Sequence, residues 1–117
     1  MHRRLQIEEV GDVAIVRFLD RRILDDDNIK QLGQQLFRMV DEDHCYNILL
    51  NFSNVDFLSS AALGKLITLE KKIRSHGGKL LLSNLRSEIY DTVFALTLLN
   101  RVFDIKDDEA QALAAFT

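Results

Sequence analysis

Two almost uninterrupted apolar runs, "YNILLNF" (46–52) and "KLLLSN" (79–84), constrain this chain more than anything else in it. A half-exposed strand alternates apolar with polar residues, whereas a run without that alternation needs cover on both faces. The first run therefore reads as a central strand and the second as another buried strand. Between them Leu63, Leu66, Ile67, Leu69, Glu70 and Ile73 recur at helical spacing. Lys71, Lys72 and Arg74 fall at the negative end of that helix dipole, and His76-Gly77-Gly78 stops it.

The same reading extends in both directions. Leu5 to Val10 and Val13 to Leu19 read as strands of a hairpin turned at Gly11-Asp12. "DRRILDDDN" interrupts with charge, and one of Asp25, Asp26 or Asp27 caps a helix whose Ile29, Leu32, Leu36, Met39 and Val40 form one apolar stripe. Ile89, Val93, Phe94 and Leu96 mark a third helix, "RVFDI" a short strand, and "DDEAQALAAF" a last helix opened by acids. The order is β-β-α-β-α-β-α-β-α, which predicts an α/β fold: a mixed, mostly parallel sheet covered by about four helices.

Composition narrows the function classes. At 117 residues, 47% hydrophobic and 28% charged, the chain is expected to be one soluble domain spanning 1–117. A net charge of -3, with none of the 15 Lys and Arg clustered beyond short runs, argues against nucleic acid. No apolar segment approaches the ~20 residues of a membrane span, so no membrane insertion is expected. "MHRRLQIEEV" turns polar too early for a signal peptide, and the lone Cys45 agrees with a reducing cytoplasm.

One stretch resists a purely structural reading. In "NVDFLSSAALGKL" (54–66) two serines stand between an apolar run and a helix. Ser59 as N-cap with Ser60 as first helical residue needs no partner at all. The other reading is that Ser60 is exposed on the first turn and phosphorylated. The free N–H groups and the dipole of a helix start accept an added anion without unfolding.

The stretches "ILLNFSNVDFLSSAALGKL" (48–66), "GGKLLLSNL" (77–85) and "LNRVFDIKDDEAQAL" (99–113) resemble the STAS domains of the anti-sigma factor antagonist family. The family pattern around its switch is roughly Asp-Ser-Ser-Gly-Leu-Gly. Counted from the strand, Ser59 falls where that family often has Asp, and Ser60 falls on its phosphorylatable serine. Ala62 replaces the usual glycine, so its methyl is expected to crowd a close partner. "FLDRRILDDD" replaces the family's glycine-containing turn.

The resemblance implies a cytoplasmic interaction module without catalysis that works by partner switching. Unphosphorylated, it would bind an anti-sigma factor of the GHKL serine-kinase type and free a sigma factor. Phosphorylation at Ser60, or less readily Ser59, would break the complex, and a phosphatase would restore it. The implied contact surface is Asp56, Phe57, Leu58, Ser59, Ser60, Ala61, Ala62, Leu63 and Gly64. Two alternatives stay open: a STAS subunit of a lipid-transport or signalling scaffold that is never phosphorylated, and a nucleotide-binding domain.

The remaining candidates carry less. "DDDN" (25–28) lacks calcium-loop spacing and its terminal glutamate, which leaves capping and solvation. His44 and Cys45 have no second pair to complete a zinc site. "LSSAALG" is not a glycine-flanked nucleophile elbow, and no glycine-rich phosphate loop is present, so neither catalysis nor a cofactor is expected.

Overall fold

The computed structural model describes residues 4–23, 25–95 and 97–116. Strands β1 (Leu5–Val10) and β2 (Val13–Phe18) form an antiparallel hairpin. Gly11 leads its turn at φ 59, a conformation that side chains rarely adopt. A two-residue strand β3 (Arg22–Ile23) leads into helix α1 (Asp26–Asp41). Then come β4 (Asn47–Asn51), a second two-residue strand β5 (Phe57–Leu58), α2 (Ser60–Ser75) and β6 (Lys79–Ser83). The chain ends with a short α3 (Ser87–Ile89) widening into a π-helical turn over Tyr90–Ala95, a single 3-10 turn (Leu99–Arg101), β7 (Asp104–Lys106) and α4 (Glu109–Ala114).

The main sheet runs β1-β2-β4-β6-β7, with β1 antiparallel and the other neighbours parallel. β4 is its middle strand. Ile48, Leu50, Leu80 and Leu82 face the side covered by the apolar stripes of α1 and α2, and Leu49 and Leu81 face Ala112 of α4. That two-sided cover is what the unbroken apolar runs require. The expected stripe of α1 is buried in full, at Ile29, Leu32, Leu36, Met39 and Val40. Among the described residues no helix is long and apolar enough to cross a membrane.

Local chemistry sets the helix ends. Asp25 caps α1 by accepting from the Asp27 amide at 2.9 Å, and Asp108 caps α4 through the Gln111 amide at 2.8 Å. At the end of α2, Gly77 is left-handed (φ 74), its N–H donates to the Arg74 carbonyl, and the Gly78 N–H donates to the Ile73 carbonyl. This paired closure is a Schellman motif.

The structure departs from the sequence reading in two places. The charged "DRRI" and the loop before Ser59 pair as the short parallel strands β3 and β5, in register Arg22 to Phe57 and Ile23 to Leu58. Two residues are too few to show a period, although Ile23 and Leu58 are both buried. The third helix keeps α geometry only over Ser87–Ile89. There the Thr92 hydroxyl donates to the Glu88 carbonyl at 2.6 Å, competing with the backbone ladder. Leu96, assigned to that helix from sequence, lies outside the described residues.

Gly78 is required by space, not by φ. A Cβ there would stand 1.8 Å from the Tyr46 carbonyl oxygen, which accepts from the Lys79 amide at 2.9 Å. Gly78→Ala is expected to destabilise the domain by about 1–3 kcal/mol in urea unfolding, as overpacking does.

Candidate functional site

The site is built where β4 ends. Val55 is fully buried, and its amide donates to the Phe52 carbonyl at 2.9 Å, closing a tight turn. Asn54 Nδ2 donates to the Phe18 and Leu19 carbonyls at 3.2 and 3.3 Å, tying that turn to the end of β2. The amides of Asp56 and Ser59 donate to the carbonyls of Arg21 and Ile23 at 2.6 and 3.1 Å. The loop entering α2 is therefore held by the strand pair beneath it.

The two serines divide the work. Ser59 Oγ accepts from the Ala62 amide at 3.2 Å and its carbonyl takes the first helical bond from Leu63 at 3.0 Å, so Ser59 is the N-cap. Ser60, the first residue of α2, is exposed. No residue in that first turn is acidic, so the positive end of a 16-residue helix faces outward without a side-chain counter-charge from its own first turn.

Charge gathers beside it from three segments. Asp56 Oδ2 accepts from Arg21 Nε and Nη2 at 3.0 and 2.9 Å, and Oδ1 accepts from Arg86 Nη2 at 3.0 Å. The Arg22 guanidinium lies 5.7 Å from the centroid of the Phe57 ring, which is 43% exposed. Sequence reasoning missed all three arginines. "DRR" reads as a charged interruption, and nothing local links position 86 to position 56.

Of the nine positions expected to form the contact surface, five are exposed: Asp56, Phe57, Ser60, Ala61 and Gly64. Leu58, Ala62 and Leu63 are buried, and Ser59 is half-buried by its capping role. The expectation for Ala62 is corrected: its side chain is fully buried in the core, so its methyl cannot crowd a partner. Gly64 instead presents a bare backbone, and a Cβ built there meets nothing within 4 Å.

The other candidates take structural roles. Asp25 is a cap. His44 Nδ1 lies 3.0 Å from the Tyr46 hydroxyl, and the Tyr46 ring stacks on His76 at 4.4 Å between centroids. Burial pushes the Cys45 thiol up from its ordinary pKa, which disfavours the reactive thiolate. Among the described residues no three His, Cys, Asp or Glu side chains are grouped to hold a metal ion.

Comparison with known proteins agrees with this architecture. The STAS domain family model matches residues 4–112, and the chain belongs to that family. An anti-sigma F factor antagonist of Paenibacillus polymyxa is 24% identical over 113 residues, which are 97% of this chain and 94% of that protein. A crystal structure from Thermotoga maritima, described as a candidate anti-sigma factor antagonist, superposes with a TM-score of 0.84 at 25% identity, covering 96% of this chain and 93% of that one. The phosphorylated form of the Bacillus cell fate determinant SpoIIAA shares the fold, with a TM-score of 0.73 at 18% identity over 97% of this chain and 99% of that one. The fold is thus that of the anti-sigma factor antagonists, with the mixed sheet and four helices expected from sequence.

The division of labour between the serines gives a direct check. Ser59→Ala is expected to cost about 1 kcal/mol of stability by urea unfolding, the usual loss of an N-cap. Ser60→Ala is expected to stay within about 0.5 kcal/mol of the parent, as exposed substitutions do.

Proposed function

We propose that this domain is a protein-interaction switch, an anti-sigma factor antagonist whose binding surface is Asp56, Phe57, Ser60, Ala61 and Gly64. The partner is an anti-sigma factor that is also a GHKL-type serine kinase, and binding it frees a sigma factor. In the off step the Ser60 hydroxyl attacks the γ-phosphorus of ATP held by that kinase. The bond to ADP breaks, and the hydroxyl proton passes to a base on the kinase. A phosphatase hydrolyses the phosphoserine and resets the domain, which catalyses nothing itself.

The observation that carries this reading is the pairing of an exposed Ser60 with a helix start that lacks an acid. A phosphate there adds nearly two negative charges at a helix start, where the dipole and the free N–H groups tolerate them. The fold is kept while the surface the partner meets changes charge and shape, which is what a switch of binding without unfolding needs.

Gly64 supports the same surface. Glycine inside a helix costs about 1 kcal/mol relative to alanine. A Cβ added there would meet nothing within 4 Å outside its own helix backbone. Close approach by a partner's backbone gives the bare position a use.

Two tests follow. Ser60→Ala is expected to bind the kinase partner as the parent does, and Ser60→Asp at least tenfold more weakly, by titration calorimetry; equal affinities would sink the switch. Gly64→Ala is expected to raise unfolding stability by about 0.5–1 kcal/mol while weakening the complex. Unchanged binding would remove Gly64 from the interface.

A further inference from the structure

Four neighbouring strands place Arg17, Asn51, Ser83 and Lys106 side by side on one rung. Two residues earlier the same strands present Ile15, Leu49 and Leu81, packed with Ala112 of α4. Because side chains two apart share a face, the polar rung closes the α4 side of the core at the end where the Ser60 loop begins. Asn51 is only 6% exposed there, and a buried amide needs both its donor and its acceptor engaged.

Glu109, the first residue of α4, supplies one half. Asn51 Nδ2 donates to Glu109 Oε2 at 2.6 Å, while Arg17 Nη2 holds the two Glu109 oxygens at 2.8 and 3.0 Å. Arg17 Nη1 in turn donates to Glu8 at 2.9 Å. The bonds to Glu8 and Glu109 raise the Arg17 pKa above its ordinary value against the opposing pull of desolvation. On the other side, Asn51 Oδ1 accepts from the Ser53 amide at 2.8 Å.

A carboxylate can only accept hydrogen bonds, so Glu109 dictates which end of the Asn51 amide turns toward it. With the NH₂ committed to Glu109, the oxygen is left facing Ser53, where it pins the amide that opens the turn. We propose that Glu109 is a positioning residue for the Ser60 loop, acting through Asn51 across the sheet. The proposal deepens the switch reading and rests on it for what the loop does; the relay itself stands on the geometry alone. It makes the docking of α4 on one face of the sheet a condition for the shape of the contact surface at the strand ends.

The test is amide hydrogen exchange by NMR on the full free chain. In Glu109→Ala the amides of Ser53, Val55 and Asp56 are expected to exchange at least tenfold faster than in the parent, beyond any acceleration seen at Leu49 and Leu81. Glu109→Gln, which keeps an oxygen for Asn51, is expected to restore most of that protection. Leu113→Ala loosens the packing of α4 without touching the relay, and is expected to leave the loop in step with the core. Loop exchange that follows the core in Glu109→Ala, or that outruns the core in Leu113→Ala as far as in Glu109→Ala, would overturn the proposal and leave Glu109 as a filler of buried valence. The readout needs neither kinase nor partner, so it stands or falls separately from the Ser60 switch.

Discussion

Everything in this domain depends on burying β4 on both faces. Ile48, Leu49 and Leu50 are each fully enclosed, so helices must pack above and below the strand. At roughly 25 cal/mol per Å² of apolar surface, a run like this outweighs any single polar contact in the molecule. A strand sealed along its length becomes polar only where it ends. Asn51 is the C-terminal end, and the loop leaving it is where this strand gives way to residues exposed to solvent, Ser53 and Asn54 first.

The surface there is assembled from segments distant in sequence. Asp56 gathers Arg21 and Arg86, and the β3–β5 pair holds the backbone on which Phe57, Ser59 and Ser60 are mounted. Such exposed ion pairs add little stability singly. Their effect is positional, because one carboxylate with two arginines joins the three loops that follow β2, β4 and β6 at one end of the sheet. A rigid mount suits the proposed switch, in which charge changes at one hydroxyl while the rest stays in place.

What could be read from sequence follows the range of the interaction that fixes it. Asp25, Ser59 and Gly77 act on residues two or three positions away, so their roles are visible in the local string. The burial of Ala62 was also within reach. With Leu66, Leu69 and Ile73 it lies on the buried side of α2, and following that phase back one turn assigns it to the core. The strands β3 and β5 were hidden because two residues carry no period. The π-helical turn was hidden because the apolar spacing of Ile89, Val93 and Phe94 is that of an ordinary α-helix. The arginines around Asp56, and Glu109 beside Asn51, come together only through the fold. No local pattern announces a contact across 58 positions.

A serine that only caps and a serine that signals make the same fold, so the central claim rests on covalent chemistry at one oxygen. The decisive measurement is intact-mass and site-mapping spectrometry of the protein isolated from its native cell, grown with and without stress. A gain of about 80 Da, the mass of one phosphoryl group, is expected, mapped to Ser60 and changing with condition. A Ser60 that stays unmodified in every condition would contradict it, and would return the serine pair to the folding of α2 alone.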